Sequence, residues 1–130
     1  MTQKKLEQIL KRWQKLLSLQ DWEINIRLAE PDEILDRSLG QARINLKRKI
    51  AHIAVLDPKF LSSLESKRAE AEIEDTVVHE LIHCLIEPYA PNDWESLSGV
   101  LAEQSIDAIA RAFVKLDKEK APVKKKRARR

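Results

Sequence analysis

Two histidines and a glutamate lie within five residues of one another, in the stretch His79-Glu80-Leu81-Ile82-His83. On an α-helix, residues four apart project from the same face, so the two imidazoles can hold a single metal ion, usually zinc. Glu80, next to His79, can reach a water on the open side of that metal and act as its general base. The pattern therefore predicts a catalytic zinc site on a helix.

The residues around this HExxH motif predict a helix that is buried on most of its sides. Its apolar positions are Val77, Val78, Leu81, Ile82, Leu85 and Ile86. Pro88 marks the helix end, because a proline there cannot continue the helix. A buried helix rarely keeps two histidines and a glutamate without partners, and a chance HExxH is expected on the order of once in a hundred such chains. We therefore favour metal binding over coincidence.

A catalytic zinc needs a third protein ligand and an open fourth position. Glu87 lies one turn further along the same helix and is poorly placed to close a tetrahedron. His52 lies on a predicted strand, where a single histidine more often faces solvent. Glu103 and Asp107 are four residues apart on the last predicted helix, among apolar neighbours that indicate burial. Of these candidates we favour Glu103 as the third ligand.

Hydrophobic periodicity predicts one α+β domain that positions these residues. The first two expected helices are 2–18, capped by Thr2, and 58–66, capped by Asp57. The motif helix is expected to start between 69 and 75. The last helix is expected over 94–116, capped by Asn92 or Asp93, with apolar positions at Leu97, Leu101, Ile106, Ile109, Phe113 and Leu116. The expected strands are 22–28, 42–46 and 50–56, with a polar turn at 47–49, in a sheet of three or four strands. A short helical turn is expected at 33–37. Gly99 lies one turn before Glu103, where the lack of a side chain favours a close approach to the motif helix.

Charge is distributed unevenly along the chain. Residues 118–130 hold eight Lys or Arg and one Glu, a net charge of +7, which leaves −4 on residues 1–117 because the whole chain carries +3. This segment has no apolar periodicity, so we expect a disordered basic tail after a domain at 1–117. Such a tail either contacts nucleic acid non-specifically or only aids solubility.

Several features favour a cytoplasmic protein without membrane association. No apolar run approaches the length of a membrane span, and the first residues lack the apolar core of a secretory signal. Cys84 is the only cysteine, so there is no disulfide framework. Its place beside His83 on a buried helix makes it a core residue rather than a ligand.

The two motifs together resemble those of gluzincin metallopeptidases, in which HExxH is followed by ExxxD on the next helix. The nineteen residues between His83 and Glu103 also look like the spacing of that group. The layout is similar to the minimal gluzincins, or minigluzincins, of archaea and phages, although only the two motifs are specific. The resemblance covers about residues 1–116. It implies that His79, His83 and Glu103 bind Zn²⁺, that Glu80 is the base, and that Asp107 orients His79.

The resemblance also carries implications for catalysis. Full-size gluzincins stabilise the oxyanion with a histidine or tyrosine from a further subdomain that this chain lacks, so Tyr89 and His52 are the candidates for that role. The substrate is expected to lie extended along an edge strand, either 42–46 or 50–56. Minigluzincins further imply latency, with a terminal segment lying over the cleft.

We thus expect a zinc-dependent endopeptidase that hydrolyses peptide or protein substrates as a monomer, with a dimer as the alternative. One other interpretation is a nucleic-acid-associated protease tethered by its basic tail. SprT-like proteases share HExxH but normally use a third histidine, and none follows His83. A third interpretation is a zinc-binding interaction protein that has lost catalysis.

Overall fold

The computed structural model describes residues 1–34 and 38–128, with side chains described as far as residue 120. The helices and strands are α1 Gln3–Leu16, β1 Glu23–Ala29, β2 Gly40–Asn45, β3 Ile50–Leu56, α2 Ser63–Ala71, α3 Ile73–Ile86 and α4 Leu97–Ala128. Short 3₁₀ turns occupy Pro31–Glu33, Pro58–Phe60 and Glu87–Tyr89. The predicted α+β class is confirmed, with four α-helices and a three-stranded mixed sheet in this described part.

The sheet has the strand order β1-β3-β2. β3 lies in the centre, where it pairs in parallel with β1 and antiparallel with β2. The turn at 47–49 closes the β2–β3 hairpin, as the sequence predicts, and Lys49 adopts a positive φ of 53° there. β2 is consequently an edge strand, and its outer edge is not paired with any strand of the described residues.

One face of the sheet supports the helices. Leu6, Leu10 and Trp13 form the buried stripe of α1, and Thr2 Oγ1 accepts a hydrogen bond from the Lys5 N–H, as expected of the cap. The Trp13 indole donates to Glu74 at the start of α3. The main core joins this stripe to alternate residues of the sheet and to the buried faces of α3 and α4.

The single helix expected over 58–66 is wrong, because the chain forms two separate pieces. Asp57 caps only the 3₁₀ turn Pro58–Phe60, where its carboxylate accepts from the Lys59 N–H. Ser62 then caps α2 by accepting from the Glu65 N–H. Two competing capping residues five positions apart therefore divide the segment. The expected turn at 33–37 falls at 31–33 instead, and residues 35–37 lie outside the described part.

The last helix also begins later than predicted. Ser96 is its cap, since the Ser96 Oγ accepts a hydrogen bond from the Gly99 N–H. Asp93, one of the two expected caps, instead accepts from the Glu95 N–H in the turn before the helix. The residues 93–96 thus form a tight turn that leads into α4, and Trp94 belongs to this turn rather than to the helix.

The buried face of α4 differs from the predicted one. Its buried positions are Ile106, Ala110 and Val114, spaced four residues apart. Except for Ile106, the expected apolar positions are exposed: Leu97, Leu101, Ile109, Phe113 and Leu116. Apolar residues lie on both sides of this helix, so sequence alone did not distinguish the packed side.

The backbone of α4 remains helical to Ala128, so the predicted helix end near Leu116 is wrong. Lys118, Glu119 and Lys120 are therefore part of the helix. The side chains of 121–130 and the backbone of 129–130 lie outside the described residues. For these parts of the chain, the expected disordered tail stays a prediction. Among the described residues, no helix has both the length and the apolar character required to cross a bilayer.

Candidate metal centre

α3 presents the two motif histidines and Glu80 toward one side of the domain. The helix is anchored by Val77, Val78 and Leu81, which are fully buried against the sheet and α1. This anchoring leaves His79 and His83 only partly buried, with their rings 5.1 Å apart. The amphipathic arrangement of α3 therefore fixes the position of the polar residues without burying them completely.

α4 packs against α3 and brings Glu103 to both histidines. The Glu103 Oε1 lies 2.5 Å from the His79 Nε2, and its Oε2 lies 3.1 Å from the His83 Nε2. The three residues offer ligand atoms within 4.8 Å of one another. Two imidazoles and one carboxylate, converging from two helices, are a donor set of the kind that holds catalytic zinc. The residues present thus fit a metal ion.

Asp107 and Arg111 continue this arrangement along α4. The Asp107 Oδ1 lies 3.5 Å from the His79 Nδ1, so Glu103 and Asp107 face the two nitrogens of one ring. The Arg111 Nε donates to the Asp107 Oδ2 at 3.0 Å, and this bond raises the pKa of the guanidinium. Arg111 also lies 3.8 Å from carboxylate oxygens of Glu72 and Asp75. Asp107 is therefore held between a histidine and an arginine.

Protonation in the site follows from these contacts. Burial disfavours the charged form of His79, but its hydrogen bond to Glu103 and the nearby charges of Glu80, Glu103 and Asp107 raise its pKa overall. The hydrogen bonds from His79 and His83 hold the pKa of Glu103 far below its usual range. The site thus pairs a readily protonated imidazole with an ionised carboxylate, and a cation that binds both must displace the proton.

Glu80 lies in a different environment from Glu103. It is only 5% exposed and is the single charged residue of the described part that is buried. Burial raises the pKa of its carboxyl group, although the nearby His83 and His79 oppose this shift. Its side chain lines the cavities on the β2 side of α3. A carboxylate with a raised pKa at the edge of a cavity is suited to accept a proton near neutral pH.

Gly40 allows β2 to approach α3 beside Glu80. A Cβ at this position would lie 2.7 Å from the Thr76 Cγ2 and 3.2 Å from the Ala54 carbonyl oxygen. It would also come within 3.7 Å of the Glu80 Cγ. The absence of a side chain therefore sets how closely the edge strand borders the site.

Three other candidates from the sequence do not join the group formed by His79, His83 and Glu103. His52 points to the exposed face of the sheet, because its neighbours Ala51 and Ile53 are the ones that face the core. Its side chain therefore does not face His79, His83 and Glu103. Tyr89 is 86% exposed in the turn after α3 and does not line the described cavities around the site. Glu87 lies in the cleft beyond His83, outside the group of possible ligands.

Two residues near the site were missed from the sequence. Arg111 follows Asp107 by four residues, a spacing typical of a helical ion pair that was available as a signal. Trp94 lies edge-on to His83, with ring centroids 5.0 Å apart and planes at 67°. It stands in a non-periodic turn, so no pattern revealed it. Cys84, expected in the core, is 1% exposed there.

Gly99 lies against the turn before α4. A Cβ at this position would have backbone atoms of Asp93 and Trp94 as its nearest neighbours, at 2.4–2.5 Å. The glycine therefore allows the turn before α4 to fold back on the helix. This contact places Trp94 beside the site.

Comparison with protein-family models, with curated proteins and with solved structures finds no match to this chain.

Proposed function

We propose that this protein is a zinc-dependent metalloendopeptidase of the gluzincin type. The observation that carries the proposal is the convergence of Glu103 on both motif histidines, with Asp107 behind His79. The motif alone supplies only two ligands, whereas the fold adds a carboxylate from a separate helix. Together they supply the three protein ligands that a catalytic zinc requires.

In this proposal the residues have separate roles. A bound zinc ion would supply Lewis acidity, which lowers the pKa of a water and polarises the scissile carbonyl. Glu80 accepts the proton of the attacking water and delivers it to the leaving amine. Asp107, whose Oδ1 lies 3.5 Å from the His79 Nδ1, orients this imidazole and keeps the Nε2 directed toward the ligand position.

The sheet topology favours one of the two strands considered for substrate binding. β3 is paired on both sides, so it has no free edge, whereas β2 borders the cleft with Ala42 and Ile44. An extended peptide can add to the free edge of β2 through main-chain hydrogen bonds. The N-terminus does not cover this cleft, since the Met1 amino group pairs with Glu70 on α2.

The direct test is cleavage of a labelled, unstructured protein by the wild type, by Glu80→Gln and by Glu23→Gln. Glu23→Gln is a matched control, because it removes the same charge at the far edge of the sheet. We expect activity that a chelator abolishes, and a decrease of about two orders of magnitude or more in Glu80→Gln alone. Absence of activity in zinc-loaded wild type would favour an inactive zinc-binding protein. Equal activity in Glu80→Gln would contradict the role of the base.

We propose as a second function that the basic C-terminal segment contacts nucleic acid non-specifically. We also propose that the protein is a monomer and is located in the cytoplasm. Residues 121–130 contain six Lys or Arg, and the helical backbone of α4 continues as far as Ala128. Neutralising six phosphates predicts a slope of log affinity against log salt of roughly −4 for single strands and roughly −5.4 for duplex DNA. Deleting 121–130 should abolish this binding and leave peptidase activity intact. Affinity that survives the deletion would exclude the tail as the contact.

A further inference from the structure

The proposed active site opens into a groove that continues past His83. β2 lines this groove through Gln41, Ala42 and Ile44, and Glu87 and Trp94 line it as well. The groove encloses about 530 Å³, which is enough for several residues of an extended peptide. A substrate on the β2 edge would therefore pass beside Glu87 and Trp94.

The charge of this groove is negative at the end where Glu87 lies. Glu80 and Glu103 face the proposed metal position, where a divalent cation offsets their charges. Glu87 lies one turn beyond His83, and none of the described residues forms an ion pair with it. No lysine or arginine lines this groove among the described residues. Glu87 therefore leaves an uncompensated carboxylate in the path of the substrate.

Trp94 adds an aromatic surface to the same part of the groove. Its edge-on contact with His83 fixes the indole, and 36% of the residue remains exposed. A carboxylate and an exposed indole that line one groove are a chemical match for lysine or arginine, since the cation can pair with the carboxylate and its stem or head can stack on the ring. A neutral or acidic side chain gains neither interaction.

The direction of the strands determines where this basic residue lies in the substrate. Residues 38–40 line one cavity together with Thr76 and His79, whereas residues of 40–44 line the next one together with His83 and Glu87. β2 therefore runs along α3 toward the Glu87 end. A peptide that pairs antiparallel with β2 therefore enters with its N-terminal residues at the Glu87 end. Its chain then continues past the metal position toward Gly40.

We propose that the cleft selects a lysine or arginine on the N-terminal side of the scissile bond, through Glu87 and Trp94. This inference rests on the proposed peptidase function. It assigns a substrate class, namely peptides with a basic residue before the cleaved bond. It also assigns a role in substrate recognition to Glu87 and Trp94, which neither bind the metal nor transfer protons in the proposed mechanism.

The experiment compares peptides that carry lysine, its neutral near-isostere norleucine or glutamate, placed in turn at each of three positions on either side of the cleaved bond. The kcat/KM ratio of each pair is measured for the wild type, Glu87→Gln, Glu87→Lys and the control Glu23→Gln. Binding of the same peptides to zinc-loaded Glu80→Gln is measured by fluorescence anisotropy, and it does not depend on cleavage.

We expect wild type and Glu23→Gln to prefer lysine about five- to tenfold at one position before the bond. In Glu87→Gln the ratio should fall to about one or two, and Glu87→Lys should reverse it in favour of a glutamate peptide. A preference that persists in Glu87→Gln, or that occurs only after the bond, overturns the inference. If wild type cleaves nothing, the peptidase proposal fails. The anisotropy measurement then decides this inference separately, since equal affinity for both peptides overturns it.

Discussion

Asp107 is the residue through which the support of the metal ligands can be tested quantitatively. Its Oδ1 faces the His79 Nδ1 at 3.5 Å, the long limit of a hydrogen bond, and about half of its side chain is exposed. Removal of a carboxylate behind a ligating histidine typically costs 10- to 100-fold in metal affinity. The long distance and the exposure place the expected effect of Asp107→Asn at the lower end.

We therefore predict that Asp107→Asn weakens zinc binding about tenfold, equivalent to about 1.4 kcal/mol. Asparagine keeps the shape and an acceptor oxygen, so the variant mainly removes the negative charge beside the imidazole. Asp107→Ala removes the acceptor as well and should weaken binding further. The assay is competition for zinc against a chromophoric chelator at constant pH and ionic strength.

The matched control is Asp117→Asn, which lies on the same helix but pairs with Arg12 on α1. We expect its zinc affinity to equal that of the wild type within a factor of two. If Asp107→Asn also remains within that factor, Asp107 does not support His79. If it loses as much affinity as Glu103→Ala, Asp107 would have to be a ligand itself, and the assignment of roles would be wrong.

Three further predictions concern close packing around the site. Gly40→Ala should lower the free energy of unfolding by about 1–3 kcal/mol, because its Cβ overlaps the Thr76 methyl group; denaturant titration should show partial recovery with Thr76→Ser added. Gly99→Ala should lower the free energy of unfolding by about 3 kcal/mol or more in the same assay. The added Cβ would meet backbone atoms of the turn that carries Trp94, and backbone cannot rotate away as a side chain can. Burial raises the pKa of the Cys84 thiol to about 12, so a thiol reagent at pH 8 should modify it only after denaturant is added; rapid reaction in the native protein would contradict the core position.

Several elements could be predicted from the sequence because their patterns have a single physical explanation. The strand 50–56 has the predicted bounds, since a polar turn and Asp57-Pro58 limit it on both sides. The cap of α1 was clear as well, because Thr2 is a good capping residue directly before the apolar positions Leu6, Leu10 and Trp13. His79 and His83 are four residues apart, as are Glu103 and Asp107. Residues with this spacing share a helix face however the helix packs, so both pairs could be proposed for the candidate centre from the sequence.

Other features depend on contacts between distant segments and had no local signal. Trp94 reaches His83 because Gly99 lets the preceding turn approach α4, and neither residue shows this in its neighbourhood. α4 has apolar residues on two sides, so only the packed structure shows that Ala110 and not Ile109 is buried. Ser96 and Asp93 are both good capping residues, so the sequence did not distinguish between them. The packing of the turn decides that Ser96 is the cap of α4.

The measurement that tests the central claim most directly is the metal content of the purified protein by elemental analysis, beside that of Glu103→Ala and Glu80→Gln. Our account predicts one zinc per chain in the wild type and in Glu80→Gln, because Glu80 is a base and not a ligand. It predicts strongly reduced zinc in Glu103→Ala, because two histidines of one helix remain. Wild type that takes up no metal, or Glu103→Ala that retains a full equivalent with unchanged affinity, would contradict the proposed centre.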